Sequence, residues 1–166
     1  MRKVLAIGAG IIVMLALSSV AAARGPANEF AVGSAKSETV VILGAEHASF
    51  SAHNTTGPRC EATGQIVYKS EFGDFTAKIV ELTIVENRAF FGGPITKVES
   101  GVWHTGQSAY FDVTDSGMPG GMGDTFQLSH VIDTPAPGFV LCFTPLLPGY
   151  PIAQGNIVIK TTGMLP

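Results

Sequence analysis

The amino-acid sequence predicts an all-β fold, either an antiparallel β-sandwich or a small β-barrel of about eight to nine strands. Apolar and polar residues alternate with a period of two in short runs that are rich in β-branched and aromatic residues. Gly and Pro fill the gaps between these runs. After Ala23, no stretch carries apolar residues at the spacing of an amphipathic helix over three turns.

The N-terminal segment, residues 1–23, has the pattern of a signal peptide. Arg2 and Lys3 precede an uncharged, mostly apolar run from Val4 to Val20, and Ala21-Ala22-Ala23 supplies small residues of the kind that signal peptidase accepts. The alternative interpretation is a membrane anchor, but the run lies at the lower limit of the length that spans a bilayer. We therefore expect a secreted or periplasmic protein with no stable membrane span after cleavage.

The charge balance of the mature chain argues against a nucleic-acid partner. Removal of residues 1–23 leaves residues 24–166, which is the size of one domain. The loss of Arg2 and Lys3 leaves 8 of 10 basic side chains against 13 acidic ones, and the basic residues are scattered. Nucleic acid is recognised by clustered basic residues, so it is not an expected partner. We expect the partner to be an extracellular protein or a glycan.

The first part of the mature chain is predicted to be irregular. Residues 24–36 mix Gly, Pro, Asn and Ser without periodicity, which indicates a flexible segment ahead of a single β-domain over residues 37–166. The first clear strand is His47–His53, in which Ala48, Phe50 and Ala52 form one apolar face.

The middle of the chain predicts two long strands around a tight turn. Val80, Leu82 and Ile84 are expected to share an apolar face, and Asn87-Arg88 to form the turn. The following strand is interrupted by Gly92-Gly93-Pro94, which indicates a bulge or bend and either an edge strand or a kink.

The last third of the chain predicts three more inward faces and a closing strand at residues 155–160. The pattern is compatible with both an open sandwich and a closed barrel. The predicted faces are Ala109, Phe111 and Val113; Phe126, Leu128, His130 and Ile132; and Phe139, Leu141 and Phe143.

The chain contains two cysteines, Cys60 and Cys142. In an exported protein an even number of cysteines favours a disulfide, although two buried free thiols would be the alternative. The bridge would close a loop of about 80 residues and add on the order of 4 kcal/mol to stability in the chain-entropy model.

The segment from Asp112 to Asp124 is the most distinctive one chemically. Asp112, Asp115 and Asp124 lie in a glycine-rich stretch, and carboxylates in such a stretch can bind calcium in an extracellular protein, although the spacing fits neither an EF-hand nor an RTX repeat. The alternative is an Asx turn at Asp115-Ser116-Gly117 within a long hairpin loop. Calcium is the one possible cofactor that the sequence suggests.

Two aromatic residues are candidate binding residues. Trp103 lies in a polar segment, where an indole can anchor a partner or a sugar ring, and Tyr110 follows it closely. Alternatively, Trp103 folds back and caps one end of the domain. The candidate binding residues are therefore Trp103, Tyr110, Asp112, Asp115 and Asp124.

No catalytic pattern and no histidine metal site is evident. His47 and His53 would be roughly 20 Å apart along one strand and cannot share a metal ion. His130 falls in an apolar register and is interpreted as a core residue. The sequence lacks the G-x-S-x-G elbow of many hydrolases. We expect neither a metal site nor catalytic residues.

Several turn motifs occur between residues 37 and 160. They are Phe50-Ser51-Ala52, Ala62-Thr63-Gly64, Asn87-Arg88-Ala89 with Gly92-Gly93, Asp115-Ser116-Gly117-x-Pro119-Gly120 with Asp124-x-Phe126, and Gly155-Asn156-Ile157. In this combination the chain resembles a group of small secreted bacterial domains of uncharacterised function. The resemblance implies a β-fold and export, and it carries over no catalytic residue. In that group a cysteine is often expected on the strand before the Asn-Arg-Ala turn, whereas this chain has Glu81-Leu82-Thr83 there.

Together these patterns predict an exported β-domain with a non-enzymatic binding or structural role. Binding would use loops at one end of the domain, chiefly residues 101–108 and 114–124. One alternative is a small extracellular hydrolase or isomerase with its site in the mouth of a barrel. The other is a secreted enzyme inhibitor that uses Met118-Pro119-Gly120 as a plug.

Overall fold

The computed structural model describes residues 29–40, 44–54, 60–133 and 149–160. In these ranges the secondary structure is nine β-strands and a 3-10 turn at Pro119–Gly121, so the all-β prediction is confirmed. No helix in the same ranges has the length and hydropathy needed to cross a membrane. The strands are β1 (Phe30–Val40), β2 (Gly44–Asn54), β3 (Glu61–Ser70), β4 (Gly73–Val85), β5 (Arg88–Gly101), β6 (Gln107–Thr114), β7 (Thr125–Asp133), β8 (Tyr150–Pro151) and β9 (Gln154–Lys160).

All nine strands belong to one antiparallel sheet, in the order β8-β7-β6-β5-β4-β3-β2-β1-β9. Strands β1 to β7 each pair with the next strand along the chain, and β9 returns to pair with β1. Because β8 and β9 are separated by only Ile152 and Ala153, the two edges of the sheet are brought close together. The sheet therefore curls into a barrel-like shape, rather than splitting into the two sheets of a sandwich.

Aromatic rings from opposite walls meet inside the curled sheet. The ring of Phe50 on β2 lies 4.9 Å from that of Phe91 on β5 and 6.4 Å from that of Phe126 on β7. Phe111 on β6 lies 5.7 Å from Phe126 and 5.6 Å from Tyr68 on β3. Ring separations of this size are those of favourable aromatic packing, so the inside of the sheet is a core.

Strand β1 corrects the predicted start of the domain. It begins at Phe30 and pairs with both β2 and β9, so the prediction of an irregular segment is wrong for residues 30–36. The strand is hard to recognise because its inward positions carry small residues, among them Ala31 and Ala35. A side chain at Gly33 would be excluded, because its Cβ would lie 2.5 Å from the carbonyl oxygen of Asn156 on β9.

Most of the other predicted strands are confirmed. In β2 the residues Ala48, Phe50 and Ala52 are buried, and β6 and β9 form where the alternation predicted them. The tight turn is one residue earlier than predicted, at Glu86-Asn87, because Val85 already pairs with Arg88.

Two changes of pairing register place side chains on faces that strict alternation does not predict. In β4 the pairing with β5 shifts between Ala77 and Glu81, so that Ile79 and Leu82 face the core and Val80 does not join it. The predicted bend at Gly92-Gly93-Pro94 lies opposite this shift and is confirmed, although β5 is a central strand.

The second shift lies in β7. Tyr110 pairs with His130, whereas the next residue, Phe111, pairs with Leu128, so one extra residue, Ser129, is accommodated in β7. As a result Val131 packs against the core and His130 turns to the outer face of the sheet. The prediction that His130 lies in the core register is wrong.

Some predictions fall outside the described residues. These are the signal peptide at residues 1–23, the face formed by Phe139, Leu141 and Phe143, and the position of Cys142. Cys60 is buried immediately before β3 and is not a free thiol. The bridge between Cys60 and Cys142 stays a prediction.

The inner face of the sheet also carries a buried polar pair. The hydroxyl of Tyr68 donates a hydrogen bond of 2.5 Å to Oε1 of Glu46, and both residues are almost fully buried. The other carboxylate oxygen, Oε2, has no hydrogen-bond partner among the described residues. Burial raises the pKa of Glu46, and the hydrogen bond from Tyr68 only partly opposes this.

We predict that Glu46→Gln removes a pH dependence of stability. The pKa of Glu46 is raised in the folded state above its ordinary value of 4.5, so the wild type is most stabilised by this residue below pH 4.5 and loses that stability as the pH rises through the folded-state pKa. Each unit between the two pKa values is worth about 1.4 kcal/mol. Urea unfolding of both proteins from acidic to neutral pH measures the difference. Glu38 is exposed, so Glu38→Gln is the control. The prediction is contradicted if the difference in unfolding free energy between Glu46→Gln and the wild type does not grow with pH.

Candidate binding surface at one end of the barrel

The two loops predicted to form one binding surface lie at opposite ends of the barrel. Residues 102–106 join β5 to β6, and residues 115–124 join β6 to β7. Successive connections in an antiparallel meander alternate between the two ends of the sheet, so these loops cannot act together. The prediction that loops 101–108 and 114–124 share one end is therefore wrong.

Asp124 connects the β6–β7 loop (residues 115–124) to β9. Its Oδ1 accepts hydrogen bonds from the backbone N–H and the hydroxyl of Ser116, both at 2.9 Å. Its Oδ2 accepts the backbone N–H of Ile157 on β9 at 2.9 Å. The side chain is almost fully buried, so these bonds are shielded from water.

Asp115 makes a second connection of the same kind. Its Oδ1 accepts the N–H of Gly117 at 2.7 Å, which is the Asx turn that the sequence suggested. Its Oδ2 accepts the N–H of Ile159 on β9 at 3.0 Å. The backbone of Asp115 also exchanges hydrogen bonds with Asn87, so the loop is fixed to the turn between β4 and β5 as well.

The two carboxylates therefore replace a neighbouring strand along one edge of β9. The N–H groups of Ile157 and Ile159 are two residues apart and point to the same edge, and β1 pairs with the opposite edge. All four carboxylate oxygens of Asp115 and Asp124 accept hydrogen bonds from the chain itself. Within the described ranges, no group of three or more His, Cys, Asp or Glu side chains is placed to hold a metal ion.

Asp112 lies on the outer face of β6 and not in the loop. Its Oδ2 accepts a hydrogen bond from Nη2 of Arg88 at 2.9 Å in an ion pair that links β5 and β6. Burial raises the pKa of Asp112, and the positive charge of Arg88 only partly offsets this.

Tyr110 is buried on the same outer face, so the prediction of an exposed aromatic residue is wrong at this position. Its ring lies 5.8 Å from that of Phe90 and 4.9 Å from that of His130, and the last two rings are 6.0 Å apart, so the three form a cluster. Burial and, to a smaller extent, the charge of Glu81 raise the pKa of Tyr110. Burial also lowers the pKa of His130.

Trp103 lies at the other end of the barrel from the β6–β7 loop. Its ring makes an edge-to-face contact with Phe75, with centroids 5.7 Å apart, and it packs against the core. This arrangement fits the interpretation in which the indole caps one end of the domain. The indole nitrogen, Nε1, is buried with no hydrogen-bond partner among the described residues.

The five predicted binding residues thus form no single site. Asp115 and Asp124 meet at β9, Asp112 and Tyr110 lie on the outer face of β6, and Trp103 is at the opposite end. All five hold parts of the fold together.

The exposed part of the β6–β7 loop is apolar. Met122 is 68% exposed and Met118 is 47% exposed, and Val85, at the nearby end of β4, is 43% exposed. Gly117 and Gly120 have no neighbours within 4 Å of a built Cβ, so the loop protrudes there. The sequence indicated Met118 as part of a plug, but it gave no reason to single out Met122.

The backbone of this loop is nevertheless held in place. The hydroxyl of Ser116 shares its one hydrogen between Oδ1 of Asp124 and the carbonyl oxygen of Met122, which lies 2.6 Å away, and it accepts the N–H of Met118 at 3.2 Å. Gly121 approaches β9 so closely that a Cβ would lie 2.5 Å from the carbonyl oxygen of Gly155. The result is a fixed loop with two exposed methionine side chains.

Comparison of this chain with protein-family models, with curated proteins and with solved structures finds no match. The resemblance to a group of small secreted bacterial domains therefore stays a prediction from the turn motifs.

We predict that Asp124→Ala destabilises the protein by about 2–4 kcal/mol, because it leaves the backbone N–H groups of Ser116 and Ile157 without their acceptor. Asp124→Asn should destabilise the protein less, since the amide oxygen of Asn still accepts the hydrogen bonds made to one of the two carboxylate oxygens. Urea unfolding measures both values. The matched control is Asp133→Ala, which removes an exposed carboxylate from the other end of β7. A cost for Asp124→Ala no larger than that of the control would contradict the role assigned to Asp124.

Proposed function

We propose that this protein is an exported, non-enzymatic binding module that contacts a protein partner through Met118 and Met122 of the β6–β7 loop. The observation that carries the proposal is the combination of a fixed backbone with exposed apolar side chains in this loop. Export is inferred from the pattern of residues 1–23.

A fixed loop favours binding because little conformational entropy is lost when the partner docks. Ordering the side chains and loops of an interface costs free energy, and a loop already held by hydrogen bonds has lost most of that entropy on folding. The unbranched methionine side chains can still adjust to the shape of a partner. Both methionine side chains are exposed apolar groups on this one loop.

The packing of the interior supports a binding module over the alternative of a hydrolase or isomerase. An enzyme site in the mouth of a barrel needs a cavity with converging polar groups. Here aromatic rings from opposite walls are in contact, and Asp112, Asp115 and Asp124 are each engaged in structural bonds. The inhibitor hypothesis uses the same loop and differs only in the identity of the partner.

Capture of partners with matched variants tests the proposal. The wild-type protein, the double variant Met118→Ser/Met122→Ser and the control Phe72→Ser are immobilised and exposed to envelope extract and culture medium of the producing cells. Phe72 is 40% exposed and lies in the turn between β3 and β4, at the opposite end of the barrel. We expect a protein that is enriched by the wild type and the control and is reduced at least about tenfold by the double variant, which corresponds to a loss of about 1.4 kcal/mol.

The same proteins enriched equally by all three forms would contradict the proposal. Melting temperatures of the three forms should agree closely, since the substituted side chains are exposed. This comparison separates a lost contact from a lost fold.

A further inference from the structure

We propose that Met118 and Met122 are a reversible oxidation site, at which a peroxide converts the apolar surface of the β6–β7 loop into a polar one. The oxidation site is inferred from the exposure of the two thioethers. Its effect on a partner rests on the proposed function.

The two side chains are concentrated and accessible. Met118 and Met122 are the only methionines among the described residues, and the chain has three others, Met1, Met14 and Met164. Met122 is the more exposed of the two. Met118 is partly covered by its own loop, since a Cβ at Gly123 would lie 2.9 Å from the methyl carbon of Met118. Met122 should therefore be oxidised first, because susceptibility follows exposure.

The reaction is a two-electron oxygen transfer. The sulfur lone pair attacks one oxygen of hydrogen peroxide, the S–O bond forms and the O–O bond breaks, and after proton transfer the second oxygen leaves as water. The thioether is oxidised to a sulfoxide, a polar and chiral group, and the peroxide is reduced. Methionine sulfoxide reductases, with thiols as the reductant, return the sulfoxide to the thioether.

The loop is built so that this change affects its surface and not its backbone. The hydrogen bonds that hold it use the side chains of Asp115, Ser116 and Asp124 and backbone groups. Met122 contributes only its carbonyl oxygen, and Met118 only its N–H. Neither sulfur belongs to the buried core. Oxidation therefore makes polar the two side chains that a partner would contact, and the hydrogen bonds that hold the loop are unchanged.

Treatment of the purified protein with hydrogen peroxide tests this inference. Peptide mapping by mass spectrometry follows each methionine separately, and Met118→Leu and Met122→Leu each remove one site. We expect Met122 to be oxidised at a rate within about threefold of that in an unfolded peptide, with Met118 slower, because exposed thioethers react nearly freely. The melting temperature should stay within about 2 °C of the untreated value, and incubation with the two sulfoxide reductases and a thiol should restore the original mass.

Protection of Met122 by more than about tenfold relative to the unfolded peptide would overturn the proposal, since such protection means that the side chain is covered. A fall in melting temperature as large as that of Asp124→Ala would also overturn it, because the sulfurs would then support the fold. These readouts use the protein alone. A negative result in this experiment does not bear on the capture experiment. If capture does not depend on the methionines, the proposed partner contact is wrong, but the oxidation site is not contradicted.

Discussion

Two aspartate side chains accept hydrogen bonds from backbone N–H groups of β9, and the rest of this structure depends on this interaction. The sheet of nine strands has two edges, and the edge strands β8 and β9 do not pair with each other. Strand β8 contributes only Tyr150 and Pro151 to the edge of β7. Asp115 and Asp124 supply carboxylate acceptors for the edge of β9 instead. Charge-assisted bonds of this kind are stronger than bonds between neutral groups, and they cover an edge that would otherwise be open to pairing with other chains.

The same bonds determine what the β6–β7 loop can do. Because both aspartates are used to hold β9, they are not available to a ligand, and the loop that contains them is fixed relative to the sheet. Its exposed residues are then the methionines, not the carboxylates. A segment with the sequence pattern of an acidic ligand site is thus a loop with exposed methionines that is held in place by two aspartate side chains.

Period-two alternation was enough to predict the fold class and most strands, because a half-buried strand must place its apolar side chains on one face. It failed where the pairing register shifts. One additional residue, Ser129, moved His130 from the core to the outer face, and a similar shift in β4 removed Val80 from the core. It also failed at β1, where close contact with β9 requires Gly33 and small neighbours that give no apolar signal. Such features depend on neighbouring strands and cannot be seen in one segment.

The candidate site was harder to predict for the same reason. The sequence showed that Asp115 could form an Asx turn, but not that its second oxygen would meet Ile159, which is 44 residues away. Likewise, Glu46 occupies an inward position in the alternation of β2, which the sequence shows. That it is buried in a hydrogen-bonded pair is evident only when Tyr68 is seen beside it.

Amide hydrogen exchange at Ile157 and Ile159, followed by NMR, tests the central claim most directly. If the carboxylates of Asp124 and Asp115 accept these N–H groups as a strand would, both amides should exchange as slowly as those in the pairing of β1 with β2. Exchange at the rate of an open strand edge at both positions would show that the two aspartates do not hold β9, and would contradict the role that the structure assigns to them.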